Sequence, residues 1–144
     1  MNSKKWECGA ENANDIIATL NGTTLTFSGK SEMKDFSNID SYFGGFSNAD
    51  FVIDGLFEGN FEFYYHEPTP WNNNRILEKI IVEEGITHIG DCAFFNCIAV
   101  KSVEIPNSVE SIGNASFKNC SNIESIELSE NIKSIGISAF ENCI

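Results

Sequence analysis

The side chains best suited to acid–base, nucleophilic or metal chemistry are two histidines and five cysteines. Nucleophilic catalysis requires a base held beside the nucleophile, and the histidines available for that role are His66 and His88. His88 lies close to Cys92 and Cys97 in the sequence, but the spacing is not that of an ordinary zinc site. No glycine-rich phosphate loop follows a strand, and no pair of carboxylates stands apart from the other acidic residues. The sequence therefore predicts no enzyme activity, no metal site and no cofactor.

The cysteines have a structural interpretation. Cys97, Cys120 and Cys143 recur every 23 residues, which predicts one column of small inward side chains. Parallel side-chain directions in stacked units are poor geometry for a disulfide, so we expect buried thiols. Cys92 is expected to be partly exposed, and Cys8 has no assigned partner. An odd number of cysteines leaves at least one unpaired within the chain.

Charge excludes two classes of partner. The chain has 21 acidic and 9 basic residues in 144, a net charge of −12. Binding to nucleic acid or to anionic lipid needs clustered Lys and Arg, so neither is expected. No stretch reaches the roughly 18 apolar residues of a membrane span. The first residues, Met1 to Trp6, lack the apolar core of a signal peptide, so none is predicted in this chain.

The elements that position all these residues repeat with a period of 23. Three units align without a gap, over residues 77–99, 100–122 and 123–144. Eight aligned positions per unit run from Leu77, Val100 and Ile123 to the three recurring cysteines. Of these 24 positions only Ser116 is not apolar, whereas a chain that is 42% apolar would fill about ten by chance. A fixed period of this length predicts a solenoid whose units bury their apolar faces by stacking.

Each unit is predicted to contain a strand and a turn. Pairs such as Val103 and Ile105 alternate as on a strand with one face inward, so stacking yields a parallel sheet. Gly90, Gly113 and Gly136 form one column, which indicates either a positive φ or a close approach of two backbones. The residues after each glycine, 91–96, 114–119 and 137–142, are predicted to be single helical turns.

Residues 1–76 are predicted to form a cap on the solenoid. Residues 16–29 favour a β-hairpin turning at Asn21-Gly22, a pair suited to a type I′ turn. That turn pairs Leu20 with Thr23, Ala18 with Leu25, and Ile16 with Phe27, which places Ile17, Thr19, Thr24 and Thr26 on a more polar face. Residues 31–75 are rich in aromatic and acidic residues, and the rings are expected to pack over Leu77 and Phe94.

These residues resemble the BspA-type leucine-rich repeats, a class common on the surfaces of host-associated bacteria and in some protozoa. The resemblance lies in Val100 to Pro106, then Val109, Ile112-Gly113, Ser116-Phe117 and Cys120, with equivalents in the other two units. The N-terminal part is similar to the segment that precedes such arrays, with residues 37–67 as an insertion. The resemblance implies a β-rich leucine-rich-repeat solenoid, a location at the cell surface or outside the cell, and adhesion to host or neighbouring-cell proteins.

Two surfaces are candidates for binding. Leucine-rich repeats generally bind along their strand-lined surface, which here consists of Lys79, Ile81, Ser102, Glu104, Ser125 and Glu127. Ile81 is unexpected on an exposed face. An aromatic patch of Tyr42, Phe43, Tyr64 and Tyr65 could instead contact a partner or a glycan.

Three functions follow, and the first is favoured: a non-enzymatic protein-binding or adhesion module. The second is a structural role as the cap and first coils of a longer array that binds elsewhere. The third is an enzyme or glycan site in the aromatic insertion. Phe140, Cys143 and Ile144 would leave an apolar end uncovered, which favours self-association through the C-terminal end.

Overall fold

The computed structural model describes residues 4–36, 71 and 76–143. Within them, ten short strands and one 3₁₀ turn at Ala13–Asp15 supply the regular structure. The strands are β1 (Lys4–Glu7), β2 (Ile16–Asn21), β3 (Thr24–Gly29), β4 (Ser31–Glu32), β5 (Lys79–Val82), β6 (Ile86–Ile89), β7 (Ser102–Glu104), β8 (Ser111–Ile112), β9 (Ser125–Glu127) and β10 (Ser134–Ile135).

Two sheets enclose the core. The larger has six strands in the order β1-β2-β3-β5-β7-β9, and the smaller has four in the order β4-β6-β8-β10. Strands β5, β7 and β9 are parallel and in register, with Ile80, Val103 and Ile126 side by side. The parallel sheet predicted from the 23-residue period is therefore confirmed, and each coil adds one strand to both sheets.

The phenylalanine column shows the stacking directly. The rings of Phe94 and Phe117 have centroids 5.1 Å apart, and those of Phe117 and Phe140 are 5.3 Å apart with planes within 2° of parallel. Phe94 and Phe117 are fully buried, as are Cys97 and Cys120 of the adjacent column. Residues 23 apart thus occupy equivalent places in one continuous apolar interior, which is how short strands are stabilised in a solenoid.

The segments predicted as helical turns are runs of hydrogen-bonded turns with left-handed residues in them. Some amides bond within the coil, as Cys97 N–H does to Phe94 O at 3.2 Å, and others bond to the next coil, as Phe94 N–H does to Ser116 O at 2.7 Å. This alternation requires positive φ at six residues in two columns: Cys92, Ala115 and Ser138, and Asn96, Asn119 and Asn142. Glycine is needed at position 90 for space rather than for a positive φ. A Cβ there would overlap the Lys34 carbonyl, so the column reflects a close approach of two backbones.

The hairpin is present, but its predicted register is wrong by two residues. Leu20 pairs with Leu25 and Ala18 with Phe27, so the turn is Gly22-Thr23 rather than Asn21-Gly22. Gly22 has a φ of 66° at the first central position, where type II′ turns favour glycine. The Thr23 carbonyl also accepts the Glu78 and Lys79 amides, so contacts with the first repeat favour this turn. Because the shift is even, the apolar and polar faces stay as predicted.

The N-terminal segment contributes a further coil of the stack. Strand β3 lies parallel to β5, with Leu25 beside Ile80 and Phe27 beside Val82. Strand β4 then pairs with β6 in the second sheet. The Asp35 side chain accepts the Asp91 amide at 2.8 Å.

Trp71 completes this coil from a distant part of the sequence. It precedes Phe94 by one period of 23 residues, and its ring stacks on Phe94 at 6.5 Å between centroids. The indole Nε1–H donates to Ala93 O at 2.6 Å. Rings of Phe27 and Phe36 lie against its edges at 5.4 and 5.6 Å. Residues 24–36 and Trp71 are therefore the two parts of one split coil, which closes the N-terminal end of the core.

Candidate functional site: the strand face

Strand register places the predicted binding residues in two adjacent rows on the outer face of the six-stranded sheet. Lys79, Ser102 and Ser125 pair across β5, β7 and β9 in one row. Ile81, Glu104 and Glu127 form the neighbouring row. Their side chains share one face because they alternate with inward residues such as Ile80 and Val103.

The split coil extends both rows. Thr24 lies beside Lys79, and Thr26 lies beside Ile81. We call the combined set the strand face: Thr24, Thr26, Lys79, Ile81, Ser102, Glu104, Ser125 and Glu127. The polar side of the hairpin was evident from its alternation, but its pairing with β5 was not, because 55 residues separate the paired positions. The exact 23-residue interval between Trp71 and Phe94 was the signal that could have located this coil.

Exposure and charge change along the strand face. Thr24, Thr26 and Ile81 are half-buried, whereas Glu104 and Glu127 are exposed. Ile81 is thus less exposed than the sequence suggests, since Thr26 and Glu104 flank it in register. Lys79 Nζ lies 3.1 Å from Glu104 Oε2, with 42% and 59% of the two side chains exposed. An ion pair this exposed contributes little stability, so both groups remain available to a partner.

A groove of about 490 Å³ opens on this face near the ends of β7 and β9. Its apolar lining is mainly Pro106, with only the edges of the buried Val82 and Ile105, and its polar lining includes Glu104 and Glu127. The volume falls within the roughly 300–1,000 Å³ of small-ligand clefts. The groove is open to solvent, and its lining is partly apolar and partly acidic.

The second predicted surface is the aromatic patch in the N-terminal part of the chain. Tyr42, Phe43, Tyr64 and Tyr65 lie outside the described residues, as does His66. Of the aromatic stretch, Phe36 and Trp71 are described, and both are buried in the core.

A serine, a histidine and an aspartate meet on the second sheet. His88 Nδ1 lies 2.7 Å from Ser111 Oγ, and Nε2 lies 3.5 Å from Asp35 Oδ1. The pKa of His88 is raised, first by its interaction with the Asp35 side chain and further by the charges of Asp35, Glu32 and Asp91, while burial opposes the shift. A raised pKa increases the share of the imidazolium form, which donates from both ring nitrogens. His88 thus connects β6 to Ser111 of β8 and to Asp35 through contacts that depend on pH.

The cysteines are placed for structure. All five are free thiols, and burial raises the pKa of Cys120 to about 12. The thiols of Cys120 and Cys143 donate to the carbonyls of Phe94 and Phe117, at 3.1 and 3.0 Å. Burial likewise raises the pKa of Cys92 to about 12, with Asp91 adding to the effect. Thiols held in the protonated form are poor nucleophiles and poor metal ligands.

Two further features concern the described part of the chain as a whole. No group of three or more His, Cys, Asp or Glu side chains there is arranged to hold a metal ion. No helix in that part is long and apolar enough to cross a membrane.

Comparison with known proteins places this geometry among the repeat proteins. A family model described as a BspA type leucine rich repeat region (six copies) matches residues 70–144. A crystal structure of a leucine-rich repeat protein from Eubacterium ventriosum superposes with a TM-score of 0.69 at 22% identity. The alignment covers 98% of this chain and 30% of that one, so this chain spans about a third of the other's length. At this identity the likeness concerns the fold alone. A search of curated proteins found no match.

Proposed function

Because the chain belongs to the BspA-type leucine-rich repeat family, we propose that it is a non-enzymatic binding module whose protein partner docks on the strand face. Proteins of this family are generally found at the cell surface or outside the cell. We place this chain there too, with adhesion to another protein as its role.

The observation that carries the proposal is the continuity of the strand face. Four strands in register, β3, β5, β7 and β9, present side chains from the split coil and from all three repeats on one surface. Such a surface is broad, carries exposed charges at one end and has a groove lined in part by Glu104 and Glu127. Broad surfaces with shallow grooves favour macromolecular partners over small substrates.

The test reverses charge on the strand face. Glu104→Lys together with Glu127→Lys should lower partner capture by at least about tenfold, because tenfold corresponds to about 1.4 kcal/mol and unfavourable charge contacts at an interface cost that much or more. Both side chains are exposed, so the midpoint of thermal unfolding should stay within a few degrees. Proteins retained from host or neighbouring-cell surface extracts by the immobilised wild type and by the variant would be compared by quantitative mass spectrometry.

A matched control carries the same charge change away from the strand face. Glu110→Lys and Glu141→Lys alter half-exposed side chains next to β8 and in the last turn. This control should retain what the wild type retains. If both variants retain the same proteins, the strand face is not the binding surface.

A second candidate function is structural: the chain forms the cap and first coils of an array that binds elsewhere. It is favoured by the exposed apolar side chains of the third coil, Leu128, Ile135 and Ile137. This surface suits either another coil or a second copy of the chain.

A further inference from the structure

We infer that the partner meets the strand face with a cationic segment, and that one of its Lys or Arg side chains occupies the groove beside Glu104 and Glu127. This inference rests on the proposed function and adds to it the chemical class of the partner. The site consists of the two carboxylates, the apolar lining next to them and Lys79.

The carboxylates are placed to attract a cation. Glu104 and Glu127 lie side by side on adjacent parallel strands, in register. Strands of one sheet are about 4.8 Å apart, and like charges directly across a sheet repel each other. Lys79 pairs with Glu104 at 3.1 Å, while Glu127 has no ion-pair partner among the described residues. A second cation placed between the two carboxylates would relieve this repulsion.

The lining of the groove matches the two parts of a long basic side chain. Half-buried Pro106 offers apolar surface next to the carboxylates, and the buried Val82 and Ile105 add only the edges of their side chains. Lys and Arg combine an aliphatic stem with a charged head, and such side chains place the stem on apolar surface and the head on a polar group. The hydroxyls of Ser102 and Ser125 line the same groove and can accept hydrogen bonds from the head.

The net charge of the whole chain also favours a cationic partner. A net charge of −12 attracts cationic partners from a distance and repels anionic ones. An acidic segment on the strand face would meet two exposed carboxylates and the single ammonium of Lys79, which Glu104 already engages. A cationic segment is therefore the complementary partner.

The experiment uses defined peptides and the whole chain. The probes are extended dodecapeptides in which Thr alternates with Lys, with Glu or with norleucine, which keeps an aliphatic stem without the charge. Fluorescence anisotropy at 0.15 M salt should show binding of the Lys peptide and weaker or no binding of the other two. Glu104→Gln with Glu127→Gln should weaken binding of the Lys peptide roughly three- to tenfold, as expected for two exposed charge contacts. Lys79→Met should strengthen it about twofold or more, because it removes the competing ammonium.

The control is Glu110→Gln with Glu141→Gln, which leaves the same net charge as the test variant. Equal losses in the two double variants would mean attraction to net charge alone and would overturn the inference. Absence of Lys-peptide binding, with capture of protein partners still sensitive to the strand face, would also overturn it while leaving the proposed function in place. Loss of both would remove the proposed function as well.

Discussion

At the scale of single residues, polar side chains set the contacts between coils as much as apolar ones do. The Asp91 carboxylate accepts the Asn114 amide at 2.7 Å, and the Asn114 side chain accepts the Ile137 amide at 2.8 Å. Asn119 and Asn142 each donate to the asparagine one coil earlier, at 2.7 and 2.8 Å. These bonds satisfy polar groups that the turns would otherwise leave unpaired.

The sequence predicted the apolar columns but not these rows of side-chain hydrogen bonds between coils, which we call polar ladders. The spacing of apolar residues in the sequence predicts which side chains face the core. The side-chain hydrogen bonds between coils depend instead on which backbone amides point at the next coil, and spacing does not reveal that. Ser116 illustrates the difference, because it is the one polar residue in the apolar columns. Its Oγ lies 2.7 Å from Gly113 O and 2.9 Å from Gly90 O, so a fully buried hydroxyl is satisfied.

His88 leads to a prediction about pH. Its pKa is raised in the folded chain by Asp35 first, with Glu32 and Asp91 adding to the effect. A raised folded pKa gives stability that is complete below the unfolded pKa of about 6.5 and is lost as the pH rises through the folded value. The free energy of unfolding, measured by urea denaturation, should therefore fall more between pH 6 and pH 8 in the wild type than in His88→Gln.

Asp35→Asn tests the same prediction from the other side of the contact. The asparagine keeps an oxygen that can accept the Asp91 amide, but it loses the charge facing His88. It should lower the pH dependence as His88→Gln does. His66 is unchanged in all three proteins, so its titration is common to them. Identical pH dependence in wild type and His88→Gln would contradict the assignment.

At the scale of elements, the period predicted the repeats well and the N-terminal segment less well. Strands β5, β7 and β9 are spaced by one period and were correctly placed, because stacking leaves equivalent positions 23 residues apart. The hairpin register was wrong because a local turn preference cannot account for contacts with β5. The second sheet was not foreseen, since β8 and β10 are two residues long and carry little pattern.

The split coil predicts that the stretch between its two parts can be removed. The rings of Phe36 and Trp71 are 5.6 Å apart between centroids, so the two ends of this stretch are held together by the core. Replacing residues 38–69 with six Gly and Ser residues should leave the fold intact. Shortening the connection lowers its closure entropy cost by about 1 kcal/mol. Circular dichroism and thermal unfolding would report the outcome.

Trp71→Ala in the shortened chain tests the other half of this argument. Trp71 is buried and contacts Phe27, Phe36 and Phe94, so its truncation should cost about 3–5 kcal/mol. If the shortened chain is itself unfolded, residues 38–69 are part of the cap, as the sequence suggests. If Trp71→Ala costs little, the split coil does not depend on this side chain.

At the scale of the whole molecule, the two ends of the stack differ. The split coil covers the first repeat, where Leu77 and Phe94 are fully buried. On the third repeat, Leu128 is 42% exposed, Ile135 48% and Ile137 79%. Ile137 also stands where Asp91 and Asn114 carry the acceptors of the ladder, so the third coil offers no such acceptor to a neighbour. For Leu128 and Ile135 this exposure was predictable from the columns, since the equivalent Ile105 and Ile112 are buried under the following coil.

The open end leads to the last prediction, which concerns self-association and stability. A fourth coil with the sequence of residues 100–122, added after Ile144 through one asparagine, should cover Leu128 and Ile135. The new coil would bury these two side chains and its own apolar columns against the third repeat, so the free energy of unfolding should increase. The added coil carries the same apolar columns and presents an open end of its own, so sedimentation velocity should show concentration-dependent association of both the present chain and the extended one. The control carries Asp at the position in the new coil that corresponds to Phe117, which prevents stacking at equal length. If the control is as stable as the extended chain, coverage of the third coil does not contribute to stability. If the present chain stays monomeric at every concentration, the open end is not an association surface.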